Sequence, residues 1–148
     1  MADDTSLSDH TMAALIKAAL EARDSAYAPY SKHPVGASLL DENGHIASGG
    51  NVENAAYPLG SCAEVTAIGN MVRAGGRKIR HMVVVGPGDV LCTPCGGCRQ
   101  RIREFAEPGS TFVSMLNRRG ELVKTYDFCA DLLPDSFGPD NVNEVKSG

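Results

Sequence analysis

Residues 81–86 read HMVVVG, a continuous apolar run that predicts a strand buried on both faces. Helical patterns lie on both sides of this strand. Residues 61–76 (SCAEVTAIGNMVRAGG) precede it and end at a pair of glycines, and residues 95–109 (CGGCRQRIREFAEPG) follow it and end at a Pro-Gly pair. A buried strand between two helices predicts an α/β domain built in layers, with a sheet that is partly parallel.

The other elements are predicted from hydrophobic spacing and from turn residues. They are an amphipathic helix at 5–25, a hairpin at 35–50, strands at 111–116 and 122–128, and a short helix or turn at 128–138. Together these elements form one predicted domain at residues 1–138. Residues 139–148 are polar, and we expect them to form a loosely held tail.

The composition is that of an ordinary soluble globular protein. The 148 residues are 43% hydrophobic and 22% charged, and no stretch approaches the length of a membrane span. The N-terminal sequence MADDTSLSDH lacks the features of a secretory signal, so we expect a cytoplasmic location. The net charge of −4 argues against a nucleic-acid partner. We therefore interpret the basic cluster Arg99, Arg101 and Arg103 as a solvated helix face.

Three of the five cysteines lie in LCTPCGGCRQ, at residues 91–100. Cys95 and Cys98 are separated by two glycines, which let the backbone turn so that both sulfurs can approach one point. A disulfide framework is not expected from an odd number of cysteines in a reducing compartment. Taken alone, the pair is consistent with zinc binding, with a thioredoxin-type redox pair or with two buried thiols.

A second predicted helix N-terminus favours zinc. Cys62 and Glu64 lie in SCAEV, where Ser61 and Glu64 also have the spacing of a capping box. Helix N-termini stabilise thiolates, and three thiolate ligands would leave the fourth position of a zinc ion open, as in catalytic sites. A carboxylate at Glu64 could then move protons between water and a substrate.

The segments SCAEV and PCGGCRQ resemble the cytidine deaminase family, in its small homotetrameric branch with three cysteine ligands. The resemblance extends over residues 8–138 and includes YAPYSKHPVGA, GGNVENAAYPLG and LLPDSFGP in the family's order. It implies a three-layer α/β/α sandwich with a five-stranded mixed sheet. It also implies zinc-dependent hydrolytic deamination of cytidine and 2′-deoxycytidine in pyrimidine salvage. The partner would be a free nucleoside, without nucleic acid or membrane.

The resemblance gives each residue of the predicted site a role. Cys62, Cys95 and Cys98 would hold one zinc ion per subunit, and Glu64 would move the proton between water, ring N3 and the leaving amine. The predicted nucleoside contacts are Asn51 and Glu53 at the sugar hydroxyl, the Ala63 backbone, His33 and Phe137 at the base, and Ala56 and Tyr57 at the 5′ side. Three of these contacts would come from a neighbouring subunit, which implies an obligate homotetramer.

Two residues depart from the family pattern. The arginine that often follows the catalytic glutamate offsets the charge of the zinc-bound sulfurs, and here that position is Val65. We expect the helix N-termini, with Arg99, to supply the compensation and the site to remain active. His33 stands where the family often has phenylalanine. An imidazole can stack on a base, but it adds a hydrogen bond and a charge that changes near neutral pH, so base selectivity stays open.

Blander interpretations remain beside the resemblance. Asn51 is also a turn residue and Glu53 a solvated charge, while Tyr57 and Phe137 are also ordinary packing residues. Blasticidin S deaminase shares the chemistry and also lacks the arginine after the glutamate, although NVENAAYP and LLPDSFGP favour the nucleoside enzyme. A nucleic-acid-editing deaminase, an RNA-binding module and a non-enzymatic zinc module are further alternatives. The two remaining cysteines match no ligand and are expected to be small buried hydrophobic residues. They are Cys92 and Cys129.

Overall fold

The computed structural model describes residues 7–147 as helices around one sheet. The helices are α1 (Asp9–Asp24), α2 (Ala63–Arg73), α3 (Gly96–Glu104) and α4 (Pro139–Ser147). The strands are β1 (Gly36–Asp41), β2 (Ile46–Gly50), β3 (Ile79–Val85), β4 (Phe112–Leu116) and β5 (Leu122–Asp127). A short 3₁₀ turn at Tyr57–Leu59 and a π-helical turn at Phe128–Leu132 complete the path. Up to the π-helical turn the order of helices and strands is the predicted one, whereas α4 was not predicted.

The sheet has five strands in the order β2-β1-β3-β4-β5. β3 and β4 run parallel, with His81 opposite Phe112 and Val85 opposite Leu116. The neighbouring pairs β1–β2, β1–β3 and β4–β5 are antiparallel. The predicted five-stranded mixed sheet is therefore confirmed, and the run HMVVVG forms its central strand.

Alternate residues of β3 face two different hydrophobic clusters. Met82 and Val84 pack into a cluster that includes buried residues of α2 and α3, whereas Val83 and Val85 pack with Leu15 of α1. All four β3 residues are fully buried because helices cover both faces of the sheet. The three-layer α/β/α architecture is thereby confirmed, with α2 and α3 together on one side.

Two adjacent glycines let β2 pass between α1 and α2. A side chain at Gly49 would collide with Thr66 and Ala67 of α2, and a side chain at Gly50 would collide with Ala22 of α1. The backbone of β2 therefore approaches both helices more closely than any other residue type allows. This contact fixes the first turn of α2, where part of the predicted site lies.

Two helix boundaries differ from the prediction. The N-cap of α2 is Cys62, so the capping box predicted at Ser61 is wrong. Ser61 instead exchanges two backbone hydrogen bonds with Val52, at 2.8 and 2.9 Å, and remains extended. At the other boundary, α3 ends at Glu104 because Phe105 accepts a hydrogen bond from Ile79 of β3. The first two residues of the predicted N-terminal helix, 5 and 6, lie outside the described residues, and α1 begins after the N-cap Ser8.

The polar C-terminal stretch that we expected to be loosely held contains the helix α4. Pro139 opens α4, and proline is well suited to a first helical position. The amide of Gly138 donates to the Asn141 side chain at 2.9 Å. Local capping therefore orders a segment whose polarity alone predicts disorder. Across residues 7–147, none of the helices combines the length and the apolar character needed to cross a bilayer.

Candidate active site

The N-termini of α2 and α3 bring three thiols together. The sulfur atoms of Cys62, Cys95 and Cys98 all lie within 4.8 Å of one another. Cys62 is the N-cap of α2, Cys95 is the N-cap of α3, and Cys98 lies in the first turn of α3. The structure therefore assembles the three predicted ligands from two segments that are more than thirty residues apart in the sequence.

The backbone around the two N-caps leaves their sulfurs free to face a common point. Cys62 and Cys95 are both extended, and neither side chain makes a capping hydrogen bond. Their carbonyls already accept the first helical hydrogen bonds, from Thr66 and Arg99. A cysteine caps a helix poorly compared with serine or aspartate, so its use at both N-caps calls for another purpose.

The thiols have the donor set and spacing of a zinc site. Tetrahedral zinc–sulfur bonds of about 2.3 Å place two ligating sulfurs roughly 3.8 Å apart, which the observed cluster accommodates. Burial raises the pKa of Cys62 and of Cys98, whereas the amide of Cys98 lowers the pKa of Cys95. Two of the thiols are thus costly to ionise without a cation beside them. These three residues fit a zinc ion with one position left for water or substrate.

Glu64 lies beside this cluster, in the first turn of α2, and only 5% of its surface is exposed. Burial raises the pKa of its carboxyl, and its own amide and the Cys98 thiol partly oppose the increase. A carboxyl whose pKa moves toward neutrality can both accept and return a proton. The position and burial of Glu64 are those that general acid–base catalysis requires.

The side chains predicted at the sugar both hold neighbouring backbone. Asn51 accepts a hydrogen bond from the Val35 amide at 2.8 Å and donates one to the His33 carbonyl at 3.1 Å. Glu53 accepts from the Tyr30 and Ser31 amides at 3.0 and 3.1 Å, and also from the Ser31 hydroxyl. These bonds hold the loop at residues 30–35, which carries His33.

The residues predicted at the base and the 5′ side have different degrees of exposure. Ala63 is buried at the start of α2, while Tyr57 and Phe137 are 74% and 63% exposed. Ala56 is also exposed. Tyr57 stands beside Tyr30, with 5.8 Å between the ring centroids, and both line a cleft of about 400 Å³ that also includes Glu53. Whether these residues contact a nucleoside stays a prediction.

The position of His33 links it to the cysteine segment. His33 is exposed, and its Nε2 lies 4.0 Å from the Cys92 sulfur. Cys92 and Cys129 are half-buried and pack against the main hydrophobic cluster, as expected of residues that are not ligands. His33 thus lies in the loop that Asn51 holds and faces the segment that precedes Cys95.

The basic residues of α3 are not the solvated face that the sequence predicts. Arg103 is buried, with 7% of its surface exposed. Arg99 donates to the carbonyls of Pro94 and Leu132, at 2.8 and 2.9 Å. Its described hydrogen bonds therefore go to backbone and not to the sulfurs whose charge we expected it to offset. Arg101 does remain exposed. Local sequence does not reveal this difference, because Arg103 pairs with the Ser136 and Asp140 side chains and Arg99 bonds the Leu132 carbonyl, all in a distant segment.

Comparisons with known proteins agree with this geometry. The family profile described as the cytidine and deoxycytidylate deaminase zinc-binding region matches residues 9–114. A cytidine deaminase of Sporosarcina psychrophila is 43% identical over 129 residues, which cover 87% of this chain and 93% of the relative. The cytidine deaminase of Halalkalibacterium halodurans is 38% identical over 130 residues, with 88% and 96% covered.

Solved structures are similar over the same range. A cytidine deaminase from Burkholderia pseudomallei has a TM-score of 0.78 at 41% identity, covering 88% of this chain and all of the other. A cytidine deaminase from Mycobacterium tuberculosis has a TM-score of 0.74 at 32% identity, covering 85% and 96%.

Three converging thiols and a buried carboxyl, carried by two helix N-termini on one face of a mixed sheet, define a zinc-dependent hydrolase of the α/β class. Within that class, the chain belongs to the cytidine and deoxycytidylate deaminase family. The resemblance inferred from SCAEV and PCGGCRQ is therefore confirmed.

Proposed function

We propose that the protein hydrolyses the 4-amino group of cytidine and 2′-deoxycytidine, giving uridine or 2′-deoxyuridine and ammonia. The observation that carries this proposal is the buried Glu64 carboxyl beside the cluster of Cys62, Cys95 and Cys98. The relatives and solved structures described above bear the name cytidine deaminase and cover most of this chain. The reaction consumes one water and releases one ammonia, so it needs no redox partner.

The chain's own residues divide the chemistry between holding the metal and moving protons. Cys62, Cys95 and Cys98 would hold zinc, which supplies a Lewis acid that makes water acidic near neutral pH. Glu64 accepts the proton of the attacking water and delivers it to ring N3. Glu64 then takes the proton of the new C4 hydroxyl and passes it to the amine, so that the C4–N bond breaks, ammonia leaves and a C4 carbonyl forms. Burial raises the pKa of the Glu64 carboxyl, which helps it to hold a proton between the two transfers.

The sugar contacts are supported by unused hydrogen-bonding capacity. An ionised carboxylate has about four lone-pair sites, and Glu53 uses three of them on Tyr30 and Ser31. Asn51 donates one of its two amide hydrogens, to His33, and accepts one hydrogen bond, from Val35. Each side chain can therefore bind one sugar hydroxyl without giving up the loop that it holds.

The assembly, the location and the pathway complete the proposal. We place the protein in the cytoplasm, in pyrimidine salvage, as a homotetramer whose subunits share active sites. Exposed apolar side chains support the shared sites, because Tyr57 and Phe137 lie open to solvent although the resemblance puts them at a nucleoside. Blasticidin S deaminase remains the second candidate because of Val65, which lines a groove between α2 and α3.

Turnover of cytidine by the purified zinc-loaded protein tests the function, with Glu64→Gln as the matched variant. Glutamine keeps the size and the hydrogen-bonding reach of the side chain but cannot carry the proton. We expect the variant to retain zinc and to lose activity by about 10²–10⁴-fold. Zinc-loaded protein that leaves cytidine unchanged but deaminates blasticidin S would overturn the assignment in favour of the second candidate.

A further inference from the structure

Side chains of α3 hold the segment that carries Phe137. Residues 132–140, here termed the C-terminal segment, run from the last residue of the π-helical turn into the first two residues of α4. The segment contains no strand that would pair it with the sheet. Leu132 anchors its start in the main hydrophobic cluster, and three residues of α3 contact it through their side chains.

Arg103 makes the most buried of these contacts. Its Nε donates to the Ser136 hydroxyl at 2.9 Å, and its Nη2 lies 3.5 Å from the Asp140 carboxylate. The guanidinium packs so closely on Gly138 that any side chain at that position would overlap it. The planar five-donor group of arginine suits such a fork of contacts, whereas lysine would keep only the charge.

Two further side chains of the same helix fix the segment at other points. Gln100 donates to the carbonyl of Phe137 itself at 2.9 Å, one turn before Arg103. Arg99 donates to the carbonyl of Leu132 and also to that of Pro94, which immediately precedes the ligand Cys95. The C-terminal segment is thus joined to the same helix that presents Cys95 and Cys98.

These contacts hold an aromatic ring in solvent. Phe137 is 63% exposed, so burial of its ring contributes little to the stability of this chain. Arg103 is nevertheless buried beside Phe137's neighbours Ser136 and Gly138. Folding alone does not require the contacts of Arg103 and Gln100, here termed the clamp, on either side of an exposed ring. A requirement to present the ring at a fixed place explains it.

We propose that Arg103, assisted by Gln100, is a positioning residue that sets Phe137 for contact with the pyrimidine base. The inference rests on the proposed deaminase function and on the predicted role of Phe137. Arg103 itself touches neither substrate nor metal in this account. It acts through the backbone of the C-terminal segment and joins Phe137, which would serve the site of a neighbouring subunit, to α3 of its own subunit.

Steady-state kinetics on the zinc-loaded full chain test the positioning. Arg103→Met should raise KM for cytidine about tenfold, change kcat by less than threefold and leave the zinc content at one per chain. Arg101→Met, the same change at an exposed position of the same helix, should leave all three unchanged. Arg103→Lys should recover part of the lost affinity. Gln100→Glu is nearly isosteric and exposed, and it should raise KM in the same direction without endangering the fold.

A double variant separates positioning from general stability. If Arg103 acts through Phe137, then Arg103→Met should add less than twofold to the KM of Phe137→Ala. Effects that multiply, or an Arg103→Met protein that loses zinc and kcat together, would overturn the proposal.

A spectroscopic test is independent of deaminase activity. The chain has no tryptophan, so Phe137→Trp introduces a single fluorescent probe into the C-terminal segment. Adding Arg103→Met or Gln100→Glu should lower the anisotropy of this probe and raise its quenching by acrylamide at least twofold, whereas adding Arg101→Met should not. Unchanged anisotropy after both Arg103→Met and Gln100→Glu would contradict the positioning of residue 137 by these side chains, even if the enzyme is active. Absence of cytidine turnover in the unaltered protein, with the anisotropy response present, would instead contradict the proposed function.

Discussion

At the scale of single residues, the site shows side chains that serve the fold and the chemistry at once. Glu64 needs burial for its raised pKa, and it obtains that burial from the packing of α2 on the sheet. Asn51 has the hydrogen-bonding capacity for a sugar, yet it already spans the 33–35 backbone. Asn51 therefore has a structural role in joining two segments, and its contact with a sugar stays a prediction.

Asn51 should consequently affect both stability and substrate binding. Asn51→Ala removes two hydrogen bonds to backbone, and we expect it to lower the free energy of unfolding by about 1–3 kcal/mol. Asn51→Asp keeps the acceptor for Val35 but loses the donor to His33. Its free energy of unfolding should therefore lie between those of the unaltered protein and Asn51→Ala. Urea unfolding measures this order. Asn54→Ala, which removes one exposed bond to the Ala56 amide, is the control. Equal stability of Asn51→Ala and Asn54→Ala would show that the loop does not depend on Asn51.

Val65 stands where the family often has an arginine, and no other described side chain takes over the charge of that arginine beside the sulfurs. The Val65 side chain lines the groove between α2 and α3, beside Ile68 and Arg101. Arg99, which we expected to offset the sulfur charge, is committed to two carbonyls. Among the described contacts, it is the helix N-termini that offset the negative charge of the sulfurs. The bond from the Cys98 amide to Cys95 is one example.

At the scale of elements, the predictable part of the fold is the part with strong periodicity. HMVVVG was identifiable as a buried strand because it is a continuous apolar run, and the structure shows its residues alternating between two covered faces. The converging helix N-termini were predictable because the helical patterns at 61–76 and 95–109 each begin at a cysteine segment, although the N-cap of α2 is Cys62 and not Ser61. The hairpin predicted at 35–50 is formed by β1 and β2, and it turns at Glu42-Asn43-Gly44 with Gly44 at a φ of +82°.

The parts that could not be predicted depend on contacts between distant segments. Ser61 satisfies the pattern of a capping box, but its backbone pairs with Val52, and no local rule reveals that partner. Arg103 has the spacing of an exposed residue, and its burial depends on Ser136 and Gly138, more than thirty positions away. The helical tail is another case, since Pro139 gives a start signal that polarity alone obscures.

β3 also carries a buried histidine that should make stability depend on pH. His81 bonds Ser114 at 2.6 Å through Nε2, and its Nδ1 has no hydrogen-bond partner within the described residues. Burial, with a smaller effect of Arg80, lowers the pKa of His81 to about 4. The neutral ring is thus favoured in the folded state. Its stabilising contribution is complete above the unfolded value near 6.5 and is lost as the pH falls from 6.5 to 4.

We therefore expect His81→Gln to flatten the acid branch of the stability profile. The fall in Tm between pH 7 and pH 5 should be smaller in His81→Gln than in the unaltered protein. His10→Gln, which changes an exposed histidine, should keep the original fall. Thermal unfolding of the three proteins in matched buffers decides the matter. Parallel profiles for all three would mean that His81 does not bind its proton differently on folding.

At the scale of the whole molecule, the sheet is covered on both faces, whereas the region of the predicted nucleoside contacts is open to solvent. The sheet is sealed by α1 on one side and by α2 and α3 on the other. Around the predicted nucleoside contacts, by contrast, large apolar side chains remain exposed, among them Tyr27, Tyr57 and Leu59. In a monomer these apolar groups would stay exposed to water. A neighbouring subunit that covers them would complete the site, which agrees with sites shared between subunits.

The proposed homotetramer predicts a mass four times that of the 15.6 kDa chain. Multi-angle light scattering at micromolar concentration should give about 62 kDa, by that multiplication. Tyr57→Ser should weaken the assembly or raise KM, since its ring is proposed to reach a neighbour's site. Lys17→Ser, at an exposed position on α1, provides the control. A monomeric protein with full activity would contradict shared active sites.

The central claim is that this chain adds water to C4 of cytidine and expels ammonia, with Glu64 moving the proton. The most direct measurement is conversion of cytidine in ¹⁸O-labelled water, followed by mass spectrometry of the nucleoside and assay of ammonia. We predict uridine that carries one ¹⁸O atom for each ammonia released, and no product from Glu64→Gln. Zinc-loaded protein that yields no labelled uridine, or an undiminished yield from Glu64→Gln, would contradict the account.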